Sequence, residues 1–241
     1  MDFNKIFDKL SQKLSHKNLV IIIVCLCIAI IAFIGAYMTR NNQLSTQNST
    51  ITSNDVIEEI PPLVVIDPGH GGWDPGAMNG KINEKDIVLD ISLEVEKLLK
   101  EKNIDYYMLR SDDTYVSLED RARIANEKKG RLFISIHINS FTDAAQSGIL
   151  TAYNPYSPIG KDMAIIMQSK IKNLGMRNRE IMPRPNLYVL RHTEMPALLL
   201  EIGFLSNKND LKLLTDNKFQ KNCAQQIVSG IEEILEKYIL N

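Results

Sequence analysis

Two histidines and two glutamates stand where chemistry could be done. In "LFISIHINS", residues 132–140, strand alternation puts Ile134, Ile136 and Ile138 on one face and Phe133, Ser135, His137 and Asn139 on the other. The isoleucines bury themselves, so Ser135, His137 and Asn139 form a polar row beside a hydrophobic strand. Polar groups in such a row are costly unless paired or solvated. A lone histidine there is ordinarily a core residue satisfied by one hydrogen bond. His70 is a second, in "VVIDPGHGGWDPG", residues 64–76, where an apolar strand runs into a glycine-rich turn. The glycines permit a sharp turn and a close approach. The turn is not a phosphate cradle, because G-x-G-x-x-G would need glycine where Asp74 stands and no G-K-[ST] is present.

Glu201 interrupts the apolar run of "ALLLEIGFLSN", and a carboxylate inside a buried strand needs a cationic partner. An ion pair with Arg121 or Arg123 is the structural alternative. Glu84, in "NGKINEKDIVLD", opens a helix, where a first-turn acid simply complements the helix dipole. Together the four residues say more than each alone. Two histidines and one carboxylate with an open fourth position are the ligand set of a catalytic zinc site, and a second carboxylate is left to act as base. Zinc lowers the pKa of its water to about 7; the base takes a proton from that water and returns it to a departing nitrogen. No H-E-x-x-H is present, so scattered elements must bring these groups together.

Those elements can be read from the periodicity. Strands are expected over Leu63–Asp67, Ile104–Arg110, Leu132–Asn139, Ile149–Tyr153, Leu187–Arg191 and Ala197–Phe204. Helices are expected over Lys85–Lys102, Ser117–Gly130 with Ser117 as N-cap, Pro158–Leu174 closing at Gly175, Asn207–Leu214 and Phe219–Leu240. Alternation of this kind predicts an α/β sheet with helices on both faces, and ligands bind at the C-terminal ends of strands in such sheets. His70 and His137 both sit at such ends.

Ahead of this domain, residues 61–241, lie two other segments. Leu19–Met38 holds twenty residues without a charge, long enough to cross a bilayer. Lys5, Lys9, Lys13 and Lys17 precede it and Arg40 follows, so the positive-inside rule puts the N-terminus in the cytoplasm and the rest outside. Residues 1–40 are thus expected to be a cytoplasmic stub and an uncleaved transmembrane signal anchor, the rival being a cleaved signal peptide. Residues 41–60 are rich in Asn, Ser, Thr and Gln and form a polar linker. The formal net charge of -1 and the lack of a basic stripe argue against nucleic acid. Cys223 has no cysteine partner outside the apolar run and reads as a small core residue.

The stretches "VVIDPGHGGWDPGA", "NEKDIVLDIS", "VSLEDRARIAN", "FISIHINS", "LYVLR" and "MPALLLEIGFLSN" carry a resemblance. From about Leu63 to the end, the chain resembles the zinc-dependent N-acetylmuramoyl-L-alanine amidases of the amidase-3 type. The resemblance implies a three-layer α/β/α sandwich around a mostly parallel sheet of about six strands. It implies one zinc ion on His70, Glu84 and His137, with Glu201 as the catalytic carboxylate. Asn139 and Arg121 recur in the family's motifs and would support the site, while Arg191 and Trp73 would contact substrate. His192 and Glu194 depart from the pattern, in a turn that could be no more than solvated.

The implied substrate is peptidoglycan, cleaved between N-acetylmuramic acid and the L-alanine of the stem peptide, on the extracytoplasmic side. Within the family the chain looks most like the germination-specific amidases of endospore formers, which prepare muramic acid to become muramic-δ-lactam in the spore cortex. The interval from His137 to Glu201 is too short for the long blocking helix of division amidases. Control is then expected from weak metal binding or an activating protein partner. The competing readings are a general cell-wall amidase or autolysin, a non-catalytic wall-binding protein that keeps the fold, and a zinc peptidase of related fold.

Overall fold

The computed structural model describes residues 64–240, together with the helical residues Ile30 and Ala32. Apart from those two residues, the expected anchor over Leu19–Met38 and the linker over residues 41–60 lie outside the described residues. Among the described residues, no helix is long and apolar enough to cross a membrane.

Six strands form one sheet in the order β4-β1-β5-β8-β6-β7. They are β1 (Val64–Pro68), β4 (Tyr106–Met108), β5 (Leu132–Asn139), β6 (Ile149–Tyr153), β7 (Asn178–Pro183) and β8 (Ala197–Phe204). All neighbours are parallel except β6 and β8. Runs such as Val64–Ile66 and Leu198–Leu200 are buried, as strands covered on both faces must be. A mostly parallel sheet with helices on both faces is what the sequence predicted.

The two faces are covered unequally. Helices α1 (Glu84–Glu101), α3 (Gly160–Ile171) and α6 (Asn217–Tyr238) close the larger core, around Ile66, Ile134, Ile136, Leu200, Ile227 and Ile231. Cys223 is fully buried there, and burial pushes its thiol up out of the reactive range. Helices α2 (Leu118–Glu127) and α4 (Tyr188–His192) cover the other face, around Val65, Phe133, Leu199 and Leu190. The alternation of β5 is therefore as expected, with its isoleucines in one core and Phe133 in the other. Ser117 caps α2, its hydroxyl accepting from Asp120 N at 3.0 Å.

One local reading needs correction, and two small elements were not read from the sequence. Leu187–Arg191 was expected as a strand, but Tyr188–His192 is a single helical turn. Both neighbours of β8 are already taken by β5 and β6, so this β-prone segment cannot pair with the strand that follows it. It satisfies its backbone locally instead, with Arg191 N bonded to Leu187 O at 3.0 Å and Thr193 Oγ1 to Val189 O at 2.7 Å. Strand β7 carried no apolar signal, because "NREIMP" is an edge strand, and edges tolerate charge and proline. A small hairpin, β2 (Met78–Asn79) with β3 (Ile82–Asn83), precedes α1 and turns at Gly80 with φ 62°. The remaining helix, α5 (Lys208–Leu214), begins at Asn207, whose side chain caps it.

Candidate active site

Register brings the strand-borne groups together. His137 on β5 pairs with Glu201 on β8, so both point to one face at the C-terminal ends of adjacent parallel strands. β1 ends beside β5, with Pro68 opposite Ile136, and the chain then turns through His70. The His70 and His137 rings lie 4.9 Å apart, edge to face. A Cβ at Gly69 would sit 2.6 Å from His137 Nε2, which explains why the residue beside His70 has no side chain.

Glu84 does not serve its own helix. It is 3% exposed, and its side chain folds back from the first turn of α1 onto the sheet. Oε2 accepts from Ala77 N at 2.8 Å and Oε1 from Ile138 N at 2.8 Å. Oε1 also faces His137 Nδ1 at 3.0 Å and His70 Nε2 at 3.2 Å. Burial pushes this carboxyl up, but the two histidine bonds outweigh it and hold it well below the usual carboxylate range. The helix-dipole alternative thus gives way to a buried carboxylate shared by two imidazoles. A Cβ at Gly76, where φ is 66°, would lie 2.6 Å from Glu84 Oε2 and from the His70 ring.

His70 is oriented from behind. Its Nδ1 lies 2.8 Å from Asp74 Oδ2, and an ionised carboxylate only accepts, so Nδ1 carries the hydrogen. Burial lowers this imidazole's pKa, but Glu84 and Asp74 together raise it to about 9. His70 also has a left-handed backbone, φ 58°, unusual for a residue with a Cβ. Two buried arginines hold the turn in that shape. Arg110 donates to Pro68 O at 3.0 Å and Gly69 O at 2.7 Å; Arg121 donates to Pro68 O at 2.8 Å and His70 O at 2.7 Å. Arg121 also pairs with buried Asp67, which accepts from Ser135 Oγ at 2.7 Å.

Glu201 has none of the partners foreseen as its structural alternative. Arg121 belongs to Asp67, and Arg123 bridges Asp120 and Glu127 on the surface of α2. Among the described residues, Glu201 Oε2 is out of reach of solvent and without a hydrogen bond. Burial, helped by the Glu84 charge, lifts this carboxyl to about 7, against smaller opposing pulls from His137, His70 and the more weakly felt Arg184. A buried acceptor left unmet costs free energy and needs a reason. One nitrogen or oxygen from each of His70, Glu84 and His137 lies within 4.8 Å of the others. That donor set suits a divalent metal such as zinc. A cation there would take the place of the contacts that the two imidazoles now make with Glu84.

The family model described as N-acetylmuramoyl-L-alanine amidase matches residues 64–233. The chain belongs to the N-acetylmuramoyl-L-alanine amidase family. The catalytic domain of CwlV, an amidase from Bacillus (Paenibacillus) polymyxa var. colistinus, superposes on it with a TM-score of 0.70 and 38% identity, over 73% of this chain and 98% of that one. The CwlD amidase of Clostridioides difficile, solved in complex with the GerS lipoprotein, has a TM-score of 0.70 and 32% identity, over 73% of this chain and 98% of that one. The germination-specific N-acetylmuramoyl-L-alanine amidase of Bacillus subtilis (strain 168) is 31% identical over 184 residues, 70% of this chain and 78% of its own. The protein is an enzyme, an amidase acting on peptidoglycan.

The amidase places its other sequence-picked residues unevenly. Arg121 reaches the His70 turn. Asn139 uses its side chain on Ser140 N, at 2.8 Å, and not on His137 or Glu201. Arg191 is exposed on α4 and does not line the cleft of about 300 Å³ that opens beside the histidines. That cleft is walled by Tyr115, Val116, Leu187 and Tyr188. His192 stacks on Tyr188 at 3.9 Å and so braces the wall, while Glu194 is exposed. Trp73 is exposed on the His70 turn. Arg110 was missed altogether, because a charged residue after a short strand carries no periodic signal. Asp74, which the sequence offers only for turn or supporting duty, holds His70 Nδ1.

Proposed function

We propose that this amidase holds one zinc ion on His70, Glu84 and His137 and uses Glu201 as the proton carrier of amide hydrolysis. The observation that carries it is the unpartnered Glu201 Oε2 beside three converging donors. Bound zinc would supply Lewis acidity and lower the pKa of water to about 7. Asp74 fixes the His70 tautomer so that Nε2 is turned inward. The two arginines keep the turn from relaxing. Glu201, near neutral in its affinity for protons, takes one from water as the new C–O bond forms. It returns that proton to the L-alanine nitrogen as the C–N bond breaks, leaving a muramic carboxyl and a free amine.

Relatives and sequence support a biological setting. The Bacillus subtilis relative is germination-specific, and the Clostridioides difficile relative binds a lipoprotein. We read the protein as a spore-cortex amidase on the path to muramic-δ-lactam, facing the extracytoplasmic space from an uncleaved anchor, and controlled through a partner protein. Full zinc occupancy and full activity of the chain alone would sink the partner idea.

The deciding experiment is mass spectrometry of peptidoglycan digested by wild type and by Glu201→Gln. Wild type is expected to release stem peptides with a free L-alanine amine. The variant, which keeps the shape but cannot carry the proton, is expected to be slower by about 10²–10⁴-fold. Cleavage between two amino acids would move the protein to the peptidases instead.

A further inference from the structure

Trp73 is the chain's only tryptophan, and it is 76% exposed. Its ring lies 4.3 Å from that of Tyr115, tilted by 34°. One face of the indole is thus covered and the other is open to solvent. The turn beneath it is pinned on every side. Gly71 and Asp74 exchange backbone bonds of 3.0 and 3.1 Å. Gly72 N donates to Asp113 Oδ1 at 2.9 Å, and Lys85 Nζ donates to Gly72 O and to Asp113 Oδ2, both at 2.7 Å. Gly72 also makes room for the loop segment at Tyr115, since a Cβ there would sit 2.9 Å from Tyr115 N.

Trp73 and the partly exposed Tyr115 together make a contiguous aromatic patch on a pinned turn, and exposed apolar patches mark binding sites. Rigidity favours binding, because little side-chain freedom is left to lose. The position is telling. Trp73 stands between His70 and Asp74, and Tyr115 also lines the cleft beside the histidines. The platform therefore runs from the reacting centre outward.

We propose that Trp73 and Tyr115 form a stacking platform for a pyranose ring of the glycan strand, beside the muramic residue whose amide is cut. The proposal rests on the amidase reading of the site and adds which surface takes the sugar. A pyranose offers a flat face of C–H bonds that lies well on an aromatic ring, while its hydroxyls stay polar at the edge. Asp113 is 55% exposed at that edge and can accept from them. A free stem peptide offers no comparable flat face.

The lone tryptophan makes the platform its own reporter. Full-length Glu201→Gln is titrated with glycan chains stripped of stem peptide, and separately with free stem peptide, while tryptophan emission is followed. The expected result is a saturable change with glycan and none with peptide. Tyr115→Ala should weaken the glycan response about tenfold. By calorimetry, Trp73→Ala should lose about tenfold in glycan affinity, and Trp73→Phe should regain most of it. No change with glycan, or a response to peptide at equal or higher affinity, overturns the platform. Release of stem peptides by wild type is measured separately. Its failure alongside an intact glycan response would sink the amidase mechanism while leaving the sugar site standing.

Discussion

His70 is held between two carboxylates with different jobs. Asp74 takes Nδ1 and sets the tautomer, and Glu84 faces Nε2. Their combined field outweighs burial and lifts the imidazole from 6.5 to about 9. The folded protein therefore keeps a proton that the unfolded chain has lost. His70's contribution to stability is full below pH 6.5 and is lost as pH rises to about 9. A metal must displace that proton, so metal affinity of chelator-stripped protein is expected to climb through the same window. An affinity independent of pH there would contradict this account. Asp74→Asn should weaken metal binding by about 10–100-fold and move the climb to lower pH, because it removes a charge that raises His70. Metal titrations at several pH values read both effects.

At the scale of elements, the turn after β1 is shaped by residues from elsewhere. Arg110 follows β4, Arg121 sits on α2, and between them they bind the carbonyls of Pro68, Gly69 and His70. Burial and the nearby Arg121 charge lower the Arg110 pKa. Arg121 is countered by Asp67. Arg121→Met should destabilise the fold by about 3–5 kcal/mol, since it leaves the Asp67 charge buried without its partner. Adding Asp67→Asn should restore part of that loss, as no unpaired charge then remains. Urea unfolding compares the two, and a double variant no more stable than the single would refute the charge argument. The central strands carried clear sequence signals because a continuous apolar run is a local property. The Tyr188–His192 turn did not, because its conformation depends on which neighbours of β8 are already occupied.

For the whole molecule, the sheet order explains why a site assembles where it does. β1, β5 and β8 are adjacent and parallel, so their C-terminal ends share one edge. An amidase there meets peptidoglycan only if it lies outside the cytoplasm. The charge-free segment Leu19–Met38 motivates an anchor. The full chain is expected in the carbonate-resistant membrane fraction, and deletion of residues 1–40 should release it. A wild-type chain recovered wholly in the soluble fraction would point to cleavage.

The sequence by itself determined the class of fold and most of its elements, because apolar patterning is a local property, and through a family resemblance it offered four residues for the candidate centre. Tertiary structure decided what those residues do to one another. It turned Glu84 from a helix-end acid into a carboxylate shared by two histidines, and gave Arg121 to Asp67. It thereby left Glu201 Oε2 unmet. It also put Asn139 on Ser140 and Arg191 in solvent. Partnerships of this kind span tens of residues and depend on which competitor is nearer in space, and no spacing along the chain encodes that.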